Sequence, residues 1–232
     1  MNSVNRNTVC VTMTVWLQAL VLLFCVLNCV ESSPPSPLLQ RSKYNNSFRL
    51  AKSTRTRVQL LQRKYKEQQL GDKHFEDRSG QLKDLPSLST DFSSWLKLTD
   101  FERLHAAFGD LQAYWNMLER KRKQLEKEGK EQMGGRERVR NTLPQSIRHI
   151  QLDLRDLMSQ VSSQVSTELK STMSYIKSSW IKPTIPTPVN PQTRSKTVWD
   201  SRVEGYIILR DLDLYLTRLA RDFLLLASKT GL

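Results

Sequence analysis

The sequence is poor in the residues that carry most covalent and metal chemistry. Its three cysteines, Cys10, Cys25 and Cys29, all lie in or beside one uncharged apolar run. Its three histidines, His74, His105 and His149, sit in separate segments without the HExxH spacing of a zinc site. Glycine is sparse, with eight in 232 residues, and none belongs to a phosphate-cradling loop or a nucleophile elbow. Downstream of Cys29, these absences exclude disulfide frameworks, cysteine-based zinc sites and thiol nucleophiles. The acid pairs Asp153/Asp156 and Asp211/Asp213 fall in arginine-rich helical segments, where solvated ion pairing accounts for them. The expectation is a protein that is not an enzyme and needs no metal or cofactor.

Long apolar runs are absent too, with one exception. Val11 to Val30 carry no charge; Arg6 precedes them, and Glu31-Ser32-Ser33 with Pro34, Pro35 and Pro37 follows. A basic flank, an apolar stretch and a small polar exit make up the layout of a secretory signal peptide. An uncleaved anchor is the alternative, because about 20 apolar residues span a bilayer. The run ends in Pro and Ser rather than a basic stop, which favours cleavage. The expected organisation is a signal peptide over 1–32, a flexible leader over 33–47 and a helical domain over 48–232. The released chain would be extracellular, without cysteine and without stable membrane insertion. Lacking disulfides, it must rely on core burial, and about 200 residues suffice for one such core.

Acidic residues are in deficit: 23 against 36 Lys and Arg, a formal charge of +13. An excess of this size fits nucleic acid, an anionic membrane or sulfated glycans. Export removes nucleic acid and leaves heparan sulfate or an acidic receptor face. Asn45-Asn46-Ser47 is a glycosylation sequon, so Asn45 is a candidate acceptor. The run Arg120-Lys121-Arg122-Lys123 reads as a nuclear signal, a heparin patch or, most simply, the solvated end of a long helix.

Four segments place apolar residues at steps of three and four. The first runs from about Phe48 to Leu70, with Ala51, Val58, Leu61 and Tyr65 on its stripe, Thr54 between them and Gly71 as cap. The second opens on the capping box Thr99-Asp100-Phe101-Glu102. Its stripe is Phe101, Leu104, Phe108, Leu111, Trp115, Leu118 and Leu125, missing at Arg122, and it ends by Gly134-Gly135. The third starts near Pro144 and carries Ile147, Ile150, Leu154, Leu157, Val161, Val165 and Leu169. The fourth, from about Thr197 to Ser228, carries Leu209, Leu212, Leu216, Leu219, Phe223 and Leu226. No useful length shows the period-two pattern of a strand.

Loop lengths then predict topology. About 28 residues join the first two helices, roughly ten the next two, and about 22 proline-rich residues, with Pro183, Pro186, Pro188 and Pro191, the last two. Antiparallel neighbours need only about two to eight linking residues. Long, short, long therefore predicts an all-α, long-chain four-helix bundle, up-up-down-down with two crossovers. Two helical hairpins on a linker would give similar lengths.

Two tryptophans have particular placements. Trp95 lies just before the capping box, as a lid on the bundle or as a partly exposed binding residue. Trp199 opens the last helix, and Arg202 follows on the same helical face. Trp and Arg are enriched among interface hot spots, though composition alone favours packing for Trp199.

Ser89-Thr90-Asp91, Trp95, Leu98-Thr99, Glu102-Arg103-Leu104 and Leu111-Gln112-Ala113-Tyr114, together with Val198 to Leu226, resemble the interleukin-6-type helical cytokines. The likeness is to the ciliary neurotrophic factor and cardiotrophin-like branch and covers about a third of the chain. It implies a secreted ligand without a catalytic site; a monomer is the expectation. The implied partners are glycoprotein-130-like and leukemia inhibitory factor receptor-like chains, with a family-specific alpha receptor, and signalling runs through Janus kinases and STAT proteins. In that family a Phe and a Lys three residues apart open the last helix and form a receptor site. Trp199 and Arg202 stand at those positions and depart in identity, while keeping an aromatic plate beside a cation. The resemblance makes Trp199 and Arg202 the first candidate receptor-binding residues, with Trp95 after them. A secreted amphipathic-helical protein binding lipid or glycan is the rival reading. A nuclear coiled-coil or nucleic-acid-binding protein is another.

Overall fold

The computed structural model describes residues 36–88, 92–133, 142–173 and 197–230, all within one unit, Ser36–Leu232. The apolar run with its cysteines, Ser89-Thr90-Asp91, Gly134-Gly135 and the prolines of the last linker lie outside the described residues. Those residues form α1 (Pro37–Tyr65), continued by a π-helical turn (Lys66–Leu70), α2 (Phe92–Lys97), α3 (Asp100–Met133), α4 (Leu143–Met173) and α5 (Val198–Lys229), and no strand.

Local chemistry sets the helix ends. The Thr99 box closes both ways: Thr99 N donates to Glu102 Oε2 at 2.9 Å, and Glu102 N donates to Thr99 Oγ1 at 3.2 Å. A second box, Thr197 with Asp200, starts α5. Gly71 ends the first helical run at φ 71°, a conformation in which a side chain would be strained.

The start of α1 corrects the expected flexible leader. Ser36 caps the helix and Pro37 occupies its first turn, so residues 37–47 are helical rather than part of a loose segment before Phe48. The apolar pattern did not reveal this, because the extension is held by polar contacts. Gln40 Nε2 and Tyr44 Oη donate to Glu168 Oε1 at 2.5 and 2.9 Å. Ser47 Oγ donates to Gln160 Oε1 at 2.6 Å and accepts from Gln164 Nε2 at 2.8 Å.

Hydrogen bonds between helices fix their directions. The start of α1 meets the end of α4 through Glu168, and Arg57 meets Asp153 at 2.5 Å farther along, so the two run antiparallel. Arg55 pairs with Asp213 at 2.9 Å and Tyr65 Oη donates to Arg202 O at 3.0 Å, which sets α5 antiparallel to α1. Lys121 bonds Ser201 and Tyr215 bonds Ala107, so α5 is antiparallel to α3 as well. The short-linked pair α3 and α4 also pack together.

One apolar core lies between the helices. Ala51, Val58, Leu61, Leu111, Leu118, Ile147, Leu154, Leu157, Leu212, Leu216 and Phe223 are buried in it. Every residue of the expected α5 stripe is buried. On α3, Leu104, Leu111, Leu118 and Leu125 are buried as expected and Trp115 packs on the core, but Phe101 and Phe108 are exposed at 36% and 39%, while Arg103, Ala107, Tyr114 and Lys121 also turn inward. The reason is that α3 faces α4 and α5 together, so its inner face is wider than one seam. Among the described residues no helix is long and apolar enough to cross a membrane.

Candidate functional site

The end of the molecule where α5 begins gathers several features on one short stretch of surface. Gly205 lets Tyr65 lie against the α5 backbone, and Tyr65 Oη reaches the Arg202 carbonyl. On the other side, Lys121 Nζ donates to Ser201 O at 2.6 Å and Ser201 Oγ at 3.0 Å. The first two turns of α5 are thus clamped between the end of α1 and the middle of α3.

Trp199 projects from this clamped tip and is 49% exposed. Its neighbour is Phe75, edge-on at 6.0 Å between ring centroids, and Phe75 in turn meets Tyr206 edge-on at 5.2 Å. Edge-to-face pairs of this kind are favourable beyond the area they bury. A shallow groove runs beside the indole, walled by Phe75, Glu76, Asp77, Arg78, Ser79 and Val203.

The loop carrying Phe75 is fastened to α5. Asp77 Oδ1 accepts from Ser79 N and Gly80 N, both at 2.9 Å. The Gly80 backbone bond and those from Ser79 hold the Asp77 carboxyl below its usual range. Arg210 then donates to Asp77 O at 2.5 Å and Gly80 O at 2.6 Å. The sequence reading missed Phe75, this turn and Arg210. An Asp two residues before Ser-Gly is a turn signal, and Phe75 is a solitary aromatic in a polar stretch.

Arg202 lies at the same end but does not line the groove. It is half-buried, and its Nε has no hydrogen-bond partner among the described residues. The tip therefore presents one aromatic plate, Trp199, while the unbonded Nε of Arg202 is itself buried behind it.

Trp95 is positioned differently. It stands in α2, half-buried, with Nε1 donating to Asp222 Oδ1 at 2.7 Å. Arg103 stacks over its ring at 4.7 Å and donates to Asp222 Oδ1 at 3.1 Å and to Trp95 O at 2.9 Å. Burial raises the Asp222 pKa, opposed by the bonds from Trp95 and Arg103. Of the two roles open to Trp95, the geometry gives the lid: it joins α2 to the far ends of α3 and α5. It lies at the opposite end of α5 from Trp199, so the two tryptophans do not form one site.

Asn45 is half-buried within α1, and the sequon hydroxyl of Ser47 is fully buried against α4. The Arg120–Lys123 run is largely consumed by internal contacts. Lys121 points into the core, while Arg122 pairs with Glu119 at 2.7 Å and Glu126 at 2.5 Å. The hydrogen bond from Arg122 is the main cause that lowers the Glu119 pKa to about 2. His105 lies on the surface, stacked on Phe101.

In comparison with known proteins, the chain matches no family model and no curated protein.

Proposed function

We propose that this protein is a secreted helical cytokine of the interleukin-6 type, which acts by binding and assembling receptor chains. The observation that carries the reading is the tip of α5, where Trp199 is held half-exposed on a rigid mount. A bulky aromatic left half in water beside a groove, with an arginine three residues on along the same helix, is the composition of an interface hot spot. The fold we propose is an up-up-down-down four-helix bundle. Its support is the set of registers above, in which α1 and α3 each run against α4 or α5.

The mechanism is adhesion at separate faces, without bond chemistry. Trp199, Arg202 and the groove beside Phe75 take one receptor chain, of leukemia inhibitory factor receptor type. A second face takes a glycoprotein-130-like chain. Holding both on one rigid ligand raises their effective concentration, so that their associated Janus kinases phosphorylate each other and then STAT proteins. The lipid-binding alternative is weakened because the helices' apolar stripes already meet in one core.

The test is STAT phosphorylation in cells carrying both shared receptor chains, comparing the parent protein with a Trp199→Ala/Arg202→Ala variant of unchanged circular dichroism. Loss of a hot spot worth about 2 kcal/mol or more predicts a potency loss of roughly 30-fold or more. Equal potency of parent and variant would remove the tip as a receptor site. A direct screen against cytokine receptor ectodomains with no binding would sink the reading as a whole.

A further inference from the structure

The chain's positive charge is not spread over its helices. α1 holds eight Lys and Arg residues and no Asp or Glu: Arg41, Lys43, Arg49, Lys52, Arg55, Arg57, Arg63 and Lys64. α3 holds seven basic and seven acidic residues, α4 three and three, and α5 five and five. Each of the other long helices is therefore neutral, and apart from Lys97 of the short α2 the helical charge excess belongs to α1.

Position divides the α1 cations by task. Arg55 and Arg57 sit on the flanks and are tied to Asp213 and Asp153 of the neighbouring helices. Arg41, Arg49, Lys52 and Arg63 are exposed and have no carboxylate partner among the described residues. At 3.6 residues per turn these four fall within an arc of about 80°, and at 1.5 Å per residue they extend over about 33 Å. The face is a straight, rigid line of cations, with the inner side of the helix locked in the core through Ala51, Val58 and Leu61.

We infer that the outer face of α1 is a binding site for a linear sulfated glycan of the heparan sulfate class. The argument is complementarity of charge and shape. A line of cations on a rigid rod meets a linear polyanion along its length, and releases condensed counterions wherever the two touch. A membrane surface is a poorer match, because large exposed apolar side chains on this face are few: Leu60 between Arg41 and Arg63, and Leu38 one turn before Arg41. Single-stranded nucleic acid is poorer too, because stacking platforms are missing: Phe48, the aromatic nearest this strip, is only partly exposed and lies under Lys52. The choice of a glycan as the polyanion rests on the extracellular reading above; the cationic strip does not.

The experiment is heparin affinity of the purified chain across a salt series. One variant carries Arg41→Ala, Arg49→Ala, Lys52→Ala and Arg63→Ala. The control carries Arg120→Ala, Lys123→Ala, Lys127→Ala and Lys130→Ala, an equal reduction of charge on the exposed face of the neutral helix α3. Circular dichroism checks that both fold. The parent is expected to be retained at about 0.15 M salt. The α1 variant should bind a heparin fragment at least roughly tenfold more weakly. Its salt dependence should also be shallower, by up to about one unit of log–log slope for each cation removed. The control should stay within about threefold of the parent on the same argument. Equal weakening of both variants would mean diffuse net charge, and would overturn the site. So would failure of the parent to bind, or displacement of heparin equally well by phosphatidylserine vesicles or duplex DNA. Signalling by the Trp199 tip is read separately, so either proposal can fail while the other stands.

Discussion

A β-carbon on Gly205 would overlap Tyr65 Oη and lie 2.6 Å from Tyr65 Cζ. Tyr65 is buried, and its hydroxyl is committed to the Arg202 carbonyl at 3.0 Å. The phenol cannot retreat without abandoning that bond and its place in the core. Gly205→Ala gains roughly 1 kcal/mol of helix propensity. Overpacking a well-filled site costs typically about 1–3 kcal/mol, and the broken hydrogen bond adds about 1 kcal/mol. The net prediction is destabilisation of about 1–3 kcal/mol, read as a lower urea midpoint at unchanged slope. A stabilised variant would show that Tyr65 swings aside freely and does not position the start of α5. The same residue scale explains what sequence reasoning overlooked. Arg103 is flanked by Glu102 and Leu104 and reads as a surface cation, yet it is buried with Asp222 and Trp95. Its burial depends on a carboxylate more than a hundred residues away in the chain, which no local pattern records.

At the scale of elements, the contact between α3 and α5 carries an internal pH sensitivity. Asp110 on α3 is raised from 3.8 to about 6, first by burial, against the opposing Arg218 charge and a Tyr215 hydrogen bond, with Asp222 adding repulsion. An acid whose pKa is higher folded than unfolded keeps a proton in the fold that the unfolded chain has released. Its contribution to stability is therefore fully present below about pH 4 and is lost as pH rises toward about 6. Asp110→Asn should remove this component, since the amide needs no proton to be neutral. In parallel urea titrations from pH 4 to 7.5, the variant should gain on the parent as pH rises and then keep a constant margin. A margin independent of pH throughout would show that Asp110 is solvated rather than buried.

The stripes of α4 and α5 were legible because each of these helices buries its apolar residues along one regular face. The start of α1 and the edges of the α3 face were not. Residues 37–47 are held by Tyr44, Gln40 and Ser47 bonding to α4, and an apolar periodicity search gives such contacts no weight. Phe101 and Phe108 fit the three/four spacing yet stay outside, because Arg103 and Lys121 find buried acceptors on α5 and take the inward positions. For the site, Trp199 and Arg202 were visible from position and residue type. The Phe75 wall was not, because its approach to Trp199 depends on Arg210 gripping the Asp77–Gly80 turn from another element.

For the whole molecule, the question is whether the helices need a surface to complete them. A lipid-binding helical protein keeps broad apolar faces for the lipid, and its helix content and unfolding depend on the lipid present. Here α1 contributes Val58 and Leu61, α3 Leu111 and Leu118, α4 Leu154 and Leu157, and α5 Leu212 and Phe223 to the same core. Pairs of every kind except α1 with α3 and α4 with α5 pack in it. None of these four described helices retains an apolar stripe of its own, so removing one takes a wall from two others. Such mutual dependence predicts one cooperative transition. Thermal unfolding of the purified chain without lipid should be a single sigmoid, with helical and tertiary signals coincident. Added phospholipid vesicles should leave both the helix content and the midpoint unchanged. A broad, lipid-dependent transition would instead mean that the core is incomplete in water, and the rival reading of a lipid-binding protein would then take precedence over a receptor ligand.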